Sequence, residues 1–194
     1  MSVRVRTVAR PLSSLAVDVA LVLLFANLTA VAGRIAVNLP FSPVPITGQT
    51  LIVLLAGAAL GSWRGAASQL AYLVEGVVGL PVFAGGTAGL VVLLGPTGGY
   101  LIGFVATAGI VGWLVERGAS RNGFASVATM LLGSAVVYLF GATWLSLFVP
   151  GGLAVVFAQG VLPFLPGDVV KSLIAAGVVP SARWTISRWT GDRG

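Results

Sequence analysis

The chain alternates long apolar stretches with short segments that are polar or rich in glycine and proline. Because a helix needs roughly 20 predominantly apolar residues to cross a bilayer, the stretches are interpreted as membrane-spanning helices. They fall at about residues 12–37, 47–61, 65–79, 97–116, 124–148 and 166–182. The pattern therefore predicts an all-α membrane protein with six transmembrane helices, folded as one integral membrane domain over residues 1–194.

The composition supports this class. Hydrophobic residues make up 57% of the 194 residues and charged residues only 8%, against about 25% charged in an ordinary soluble domain. The mean hydropathy is +1.04. No stretch is left for a soluble domain, so the function is expected to take place in or at the bilayer.

The predicted spans differ in length. At 1.5 Å per residue, a helix of about 16 residues reaches roughly 24 Å, which is less than the ~30 Å thickness of the hydrocarbon region. The second, third and sixth spans are short in this sense. If Arg64 and Arg183 hold their ends at the cytoplasmic surface, their other ends stop below the outer surface. We therefore expect a cup that opens outward and is covered by loops.

The basic residues indicate the orientation. The chain has 11 lysines and arginines, and cytoplasmic loops carry an excess of them. Nine fall before the first span, in alternate connections, or after the last span: Arg4, Arg6, Arg10, Arg64, Arg117, Arg121, Arg183, Arg188 and Arg193. The connections at about 38–48, 80–96 and 150–165 contain none. This distribution predicts that both termini are cytoplasmic.

The amino-terminal stretch has a second interpretation. Arginines, an apolar run from Leu15 to Phe25 and the small residues Ala30 and Ala32 resemble a secretory signal peptide with its cleavage site. Asp18 and Asn27 make the run less apolar than such a segment, and five further spans follow it. We interpret it as a retained first span.

The residue types present argue against an enzyme. The chain contains no cysteine and no histidine, which removes disulfides, thiolate chemistry, most zinc sites and any imidazole base. No serine has an obvious base partner. The glycine-rich segment at 95–100 lacks the lysine of a phosphate-binding loop. We expect no catalytic residue, no metal, no cofactor and no nucleic-acid partner.

One opposite-charge pair lies in an otherwise apolar segment. Asp168 and Lys171, the only lysine, are three residues apart, so they share one side of a helix. Ionisable groups within membrane-spanning segments are costly and mark binding sites by default. We expect both to bind a ligand, although a structural ion pair near the interface is the alternative. Arg34 also lies at an outward end, as a ligand-binding group or a side chain that reaches the outer headgroups.

Two arginine-free connections have unusual composition. Prolines at 40, 43 and 45 predict a stiff, extended segment that covers the cup. In the next connection, Phe83 offers an apolar surface, and Gly85 and Gly86 permit a close backbone approach to a ligand; a packed loop without a ligand is the alternative. Tyr100, one turn into the fourth span, is expected either to contact the ligand or to pack structurally.

Four blocks carry a resemblance to a known family. They are Val44-Pro-Ile-Thr-x-Gln-Thr50, Gly79-Leu-Pro-Val-Phe83, Gly95-Pro-Thr-Gly-Gly-Tyr100 and Leu165-Pro-Gly-Asp-x-x-Lys171. In this order and spacing they resemble the BioY family, the biotin-specific S components of energy-coupling factor (ECF) transporters. The resemblance covers nearly the whole chain. It implies a multi-pass plasma-membrane protein with a high-affinity biotin pocket that is open to the outside.

The resemblance also implies partners and site residues. The partners are a transmembrane coupling subunit and two cytoplasmic ATPases, with biotin as ligand and membrane lipid around the chain. Asp168 and Lys171 would bind the ureido ring, Thr47 and Gln49 belong to the first block of the pocket, and the biotin carboxylate would point to Arg34 or to backbone N–H groups of the rim. The expected contacts with the coupling subunit are small residues of the first span: Ala16, Ala20, Ala26 and Ala30.

Some assignments stay open at this point. Asp18 and Glu75 belong to no block of the resemblance, and Glu75 is expected either to be buried in its neutral form or to face the cup. An S component for another small vitamin-like solute, or a membrane protein without a transport role, is the alternative function.

Overall fold

The protein is described by a computed structural model over residues 12–190, with side chains described between residues 15 and 181. Within this part of the chain there are eight α-helices, one 3-10 turn and two strands. The helices are α1 (Leu12–Arg34), α2 (Gln49–Leu60), α3 (Ser62–Val77), α4 (Leu90–Leu94), α5 (Gly98–Glu116), α6 (Gly123–Leu145), α7 (Gly152–Gly160) and α8 (Leu165–Thr190). The strands are β1 (Ala36–Leu39) and β2 (Ser42–Thr47), and the 3-10 turn is Ala84–Gly86.

Three of these helices are long and apolar enough to cross a membrane: Leu15–Arg34, Gly98–Glu116 and Gly123–Leu145. The helices α7 and α8, bent by 49° across a short break, make a fourth candidate if they count as one span. Helix α2 is apolar but has only 12 residues. A helix lies in each of the six segments predicted from the sequence, and the number that crosses the bilayer stays a prediction.

Helix α5 lies at the centre of the packing. It contacts α2, α3 and α6, while α8 packs on α2 and α6, and α1 packs on α3. Glycines allow the backbones to approach closely: a Cβ added at Gly57 would overlap the backbone of Ala108, and one at Gly112 would overlap the α2–α3 turn. Close backbone contacts between helices therefore accompany the buried apolar core.

The first connection is a β-hairpin, so the all-α prediction is wrong at this point. Strands β1 and β2 pair antiparallel, with Ala36 opposite Thr47 and Leu39 opposite Ser42. Helix α1 ends at Arg34, three residues before the predicted end of the first span. The extended path expected from the prolines is present as β2, which contains Pro43 and Pro45. Proline has no N–H to donate, and it is tolerated here because each strand of a two-stranded sheet has one unpaired edge. Periodicity could not separate a short strand from the end of an apolar helix.

The other two arginine-free connections also contain helices that the sequence analysis left out. Residues 150–165 include α7, which begins at Gly152; Gly152 and the preceding Gly151 both have positive φ. Residues 80–96 include the 3-10 turn and the five-residue helix α4. Helix α8 continues to Thr190, beyond the predicted end at 182, with Pro180 inside it; proline is tolerated within helices that pack in a membrane.

Helix α3 turns its polar side into the protein. Ser68, Gln69 and Tyr72 are fully buried, whereas Leu70 and Val74 are about half exposed. The Ser68 hydroxyl donates to the Gly65 carbonyl, and the Gln69 amide donates to the Ser68 hydroxyl. This order is the reverse of a helix on the surface of a soluble protein. It is expected where the surrounding solvent is hydrocarbon and buried polar groups must bond to one another.

Arg64 does not lie in a connection between spans, as the sequence analysis assumed, but in the first turn of α3. Its Nε is 2.8 Å from Asp18 Oδ1 on α1, and the two side chains are only 11% and 3% exposed. Helix α3 begins before Arg64 because Glu116 Oε1 accepts a hydrogen bond of 2.7 Å from the Ser62 N–H at the helix start. The pair assigns Asp18 a structural role that its sequence context did not indicate.

Most of the other arginines used to predict the membrane orientation lie where the structure describes no side chains. Arg117 stacks over the Trp113 ring at 3.9 Å, at the end of α5. Arg4, Arg6, Arg10 and Arg193 lie outside the described residues. Arg183 and Arg188 lie in α8, beyond the part whose side chains are described. The cytoplasmic position of both termini stays a prediction.

The buried pair between α1 and α3 generates a stability prediction. Asp18→Asn leaves the Arg64 guanidinium buried without its counter-charge, and breaking such a pair costs about 3–5 kcal/mol. The double variant Asp18→Leu/Arg64→Met removes both charges and should be clearly more stable than the single variant. Thermal unfolding of the purified proteins in one detergent provides the comparison; equal melting temperatures for Asp18→Asn and the unsubstituted chain would refute the buried-charge account.

Candidate ligand-binding site

A cavity of about 250 Å³ lies between the hairpin, the 83–87 segment and helices α2, α5, α6 and α8. This volume is of the order of a small-molecule pocket. Polar groups reach its wall from the hairpin, the 83–87 segment, the start of α5 and helices α2, α6 and α8, and aromatic rings supply much of the apolar wall. Six of the nine residues predicted to bind a ligand line it: Thr47, Gln49, Phe83, Tyr100, Asp168 and Lys171.

The ion pair is formed as expected from the spacing. Asp168 lies in the first turn of α8, where the positive end of the helix dipole favours a carboxylate. Lys171 Nζ is 2.8 Å from Asp168 Oδ1, across one helical turn. The Asp168 side chain is 4% exposed and that of Lys171 is 16% exposed. Both charged groups thus lie at the wall of the cavity, largely removed from solvent.

Two hydroxyls that the sequence analysis did not assign complete this cluster. The Thr50 hydroxyl donates to Asp168 Oδ1 (3.1 Å) and accepts from Lys171 Nζ (2.9 Å). The Tyr138 hydroxyl donates to Asp168 Oδ2. Thr50 closes the first resemblance block, which was a usable signal. Tyr138 is a lone phenol within an apolar span, and only the packing of α6 against α8 brings it to the carboxylate.

A second polar group lies at the start of α2. Gln49 is buried, and its Nε2 donates to the Tyr72 hydroxyl. The Thr47 hydroxyl donates to Gln49 Oε1 at 3.1 Å. Gly33 on α1 makes room, because a Cβ there would be 2.7 Å from the Gln49 amide. These bonds hold the Gln49 side chain in one orientation at the cavity wall.

Phe83 is fully buried and lines the cavity at the same time. Its ring meets the Tyr72 ring edge to face, with centroids 5.5 Å apart and an interplanar angle of 82°. The ring also lies directly on Gly76, where any Cβ would overlap it. A ring fixed on two sides offers the cavity a rigid apolar surface.

Tyr100 contributes its ring and not its hydroxyl. The hydroxyl donates to the Gly160 carbonyl of α7 at 2.8 Å. Gly141 and Gly160 give the ring and hydroxyl room, since a Cβ at either glycine would overlap them. Tyr100 has the structural role that was one of its two predicted roles, because its hydroxyl joins α5 to α7. Its ring lines the cavity, and contact with a ligand stays a prediction.

Three predicted site residues do not line the cavity: Arg34, Gly85 and Gly86. The two glycines have positive φ, 65° and 80°, which only glycine adopts freely. The exposed Arg34 side chain lies over Gly86, where a Cβ would be 2.8 Å from its Nη1. Their neighbours Ala84 and Thr87 do line the cavity, so these three residues form its rim.

Glu75 was predicted either to be buried in its neutral form or to face the cup. Glu75 does not line the cavity, so it does not face the cup; its Oε2 is buried, with no hydrogen-bond partner among the described residues. No group of three or more acidic, histidine or cysteine side chains that could hold a metal ion occurs between residues 12 and 190.

The four alanines of α1 predicted to contact a coupling subunit do not share one face of the helix. Ala26 and Ala30 are 0% and 7% exposed and belong to the protein's own core, so they are covered before any partner approaches. The ten-residue step from Ala16 to Ala26 does not return to the same face of a helix with 3.6 residues per turn. Ala16 and Ala20 are exposed.

Comparisons with known proteins identify relatives by sequence and by fold. The chain is 38% identical over 167 residues to "Biotin transporter BioY" of Rhizobium etli (82% of this chain, 89% of the relative). It is 44% identical over 158 residues to "Probable biotin transporter BioY" of Pyrococcus horikoshii (81% and 91%). The fold is similar to "Crystal structure at 2.1 A of the S-component for biotin from an ECF-type ABC transporter", with a TM-score of 0.82, 29% identity, and coverage of 91% of this chain and 95% of that one.

The family itself is shown by the sequence. The pattern of the BioY family matches residues 4–188, which is nearly the whole chain and includes every block named above. The chain therefore belongs to the BioY family.

Proposed function

We propose that this protein binds biotin and is the biotin-specific S component of an ECF transporter. The observation that carries the proposal is the Asp168–Lys171 pair at the wall of the cavity, in a chain whose relatives are named biotin transporters. Family membership argues for a transport subunit and not for an enzyme.

The chemistry of biotin suits this pair. Its ureido ring presents N–H donors on either side of a carbonyl acceptor, so it needs an acceptor and a donor side by side. The Asp168 carboxylate supplies the acceptor and the Lys171 ammonium the donor. Charge-assisted hydrogen bonds of this kind are about twice as strong as neutral ones, and the low exposure of both side chains keeps water from competing.

The rest of the cavity suits the apolar part of the ligand. Phe83, Tyr100, Phe104 and Val137 form aromatic and aliphatic walls. The thioether ring and the valerate chain would pack on these surfaces, which are already fixed before binding. Thr47 and Gln49 complete the wall beside them.

The rim offers a place for the biotin carboxylate. Arg34 is exposed beside Gly86, next to the segment whose Ala84 and Thr87 line the cavity. A guanidinium matches a carboxylate in geometry and charge. The N–H groups of Phe83, Gly86 and Thr87 donate to carbonyls within this segment, so Arg34 is the group that the rim offers to the carboxylate.

Finer points of topology and assembly belong to the same proposal. We place the protein in the plasma membrane with six spans, both termini in the cytoplasm and the cavity facing outward, in accordance with the positive-inside rule. A transmembrane coupling subunit and two cytoplasmic ATPases would be its partners. The exposed Ala16 and Ala20 are the small residues of α1 that stay available to the coupling subunit.

The first test is equilibrium binding of labelled biotin to the purified chain. Truncating one member of a buried hydrogen-bonded charge pair costs 2–5 kcal/mol or more, so Asp168→Asn and Lys171→Ala should each weaken binding by about a hundredfold or more. Arg121→Ala removes a charge at the opposite end of α5 and α6 and serves as the control, with unchanged affinity. Intact binding by Lys171→Ala would contradict the site.

The same assay separates the alternative functions. A panel of other small vitamins, such as thiamine, riboflavin and pantothenate, is measured beside biotin. Tight binding of one of them in place of biotin would point to an S component of different specificity. Binding of none, with a melting temperature that no ligand raises, would point to a membrane protein without this role.

A second prediction concerns the packing of Phe83. Gly76→Ala places a methyl group where the Phe83 ring lies, so the ring must move into or out of the cavity. Overpacking costs about 1–3 kcal/mol. If the displaced ring transfers that cost to the ligand-bound state, biotin affinity falls by about five- to a hundredfold. Gly177→Ala on α8 is the matched control, because no heavy atom lies within 4 Å of its Cβ position. Equal affinity of both variants would refute the role given to Phe83.

A further inference from the structure

The Asp168 carboxylate has little hydrogen-bonding capacity left. A carboxylate accepts about four hydrogen bonds. Oδ1 already accepts from Lys171 at 2.8 Å and from Thr50 at 3.1 Å, and Oδ2 accepts from the Tyr138 hydroxyl. One acceptor position remains, and it is on Oδ2.

Most of the hydrogen-bonding capacity of the Lys171 ammonium is also taken. Its ammonium has three N–H donors, of which one is directed to Asp168 Oδ1 and one to the Thr50 hydroxyl at 2.9 Å. One N–H remains. Because Thr50, Tyr138, Asp168 and Lys171 all line the cavity, the cluster offers a ligand one acceptor and one donor, side by side.

The two hydroxyls act from different helices. Asp168 and Lys171 both lie on α8, whereas Thr50 comes from α2 and Tyr138 from α6. A carboxylate held only by a lysine of its own helix could rotate about its side-chain torsions. Donors from two other helices, one on each oxygen, fix the plane of the carboxylate and so determine which lone pair faces the cavity.

We propose that Tyr138 is a positioning residue for biotin recognition. Its hydroxyl fixes the orientation of the Asp168 carboxylate, so that the free acceptor position of Oδ2 faces the ligand. The free N–H of Lys171 lies beside that position. This inference rests on the proposed function, since it specifies how the same site reads the ureido ring. It assigns the site a narrow specificity: a ring that presents an unsubstituted N–H next to a carbonyl, as in a cyclic urea. An N-substituted ureido ring places a bulky group against the carboxylate and is rejected.

A different role for Tyr138 would be packing alone, with its ring filling the wall beside Val137. The two roles are distinguishable by coupling. A hydroxyl that acts through Asp168 has no effect on binding once the carboxylate is gone. If the ring only fills space, Tyr138→Phe, which keeps the ring, leaves the affinity unchanged with or without Asp168.

The experiment is a double-mutant cycle on biotin affinity, measured by calorimetry on the full-length chain in detergent. Tyr138→Phe keeps the ring and removes the hydrogen bond to a charged group, which should weaken binding by roughly ten- to a hundredfold. In an Asp168→Asn background the same change should alter affinity by less than about threefold, as expected for groups that act in one network. Conservation of the fold is checked by the melting temperature of each variant.

Tyr100→Phe is the matched control. It also removes a hydroxyl from an aromatic ring on the cavity wall, but that hydroxyl donates to the Gly160 carbonyl. Whatever its effect on affinity, it should multiply with that of Asp168→Asn. If Tyr138→Phe multiplies with Asp168→Asn in the same way, the positioning role is overturned while the proposed function stands.

Two further outcomes are decisive. If the unsubstituted chain does not bind biotin, the proposed function fails and the inference fails with it. If Tyr138→Phe does not fold, 3-fluorotyrosine is incorporated at position 138, which makes the hydroxyl a stronger donor without changing the shape of the ring. Biotin affinity should then change when Asp168 is present and not in Asp168→Asn; an unchanged affinity in both backgrounds overturns the proposal.

Discussion

The ion pair between Asp168 and Lys171 is the interaction on which the site depends. In a chain with 8% charged residues, two opposite charges at the wall of a cavity require compensation, because desolvation of each ion costs several kcal/mol. Part of it comes from their mutual contact at 2.8 Å and part from the hydroxyls of Thr50 and Tyr138. These contacts leave one acceptor position on Asp168 and one N–H on Lys171 without a partner among the described residues, and we propose that biotin bonds to these two groups.

Two sets of contacts between helices hold the residues of the cavity wall in place. Glycines bring the helix backbones close together, as at Gly57 and Gly112, and so fix α2 and α5 relative to each other. On the other side, α1 and α3 are joined by buried polar contacts that end in the Asp18–Arg64 pair. Polar groups inside and apolar groups outside are the order required by a hydrocarbon environment. Rigid helices thus hold the wall residues, while the hairpin and the segment around Gly85 form the rim.

The sequence predicted which charged residues line the cavity better than it predicted the shape around them. Asp168 and Lys171 were identifiable because charges are rare in apolar segments and a spacing of three residues defines one helix face. The hairpin was missed because a short apolar strand and the end of a helix look alike. Arg64 appeared as a topology marker, since sequence alone does not show that Asp18, 46 positions earlier, lies opposite it. Tyr138 was missed for the same reason: its partner is on another helix, and only tertiary packing creates the contact.

A structure of the protein with bound biotin tests the central claim most directly. The account predicts the ureido ring within hydrogen-bonding distance of Asp168 Oδ2 and Lys171 Nζ, with the Tyr138 hydroxyl still on the carboxylate and the valerate chain directed to the rim. A ligand seated with its ureido ring at the rim and its carboxylate on Lys171, or a biotin bound outside the cavity, would contradict it.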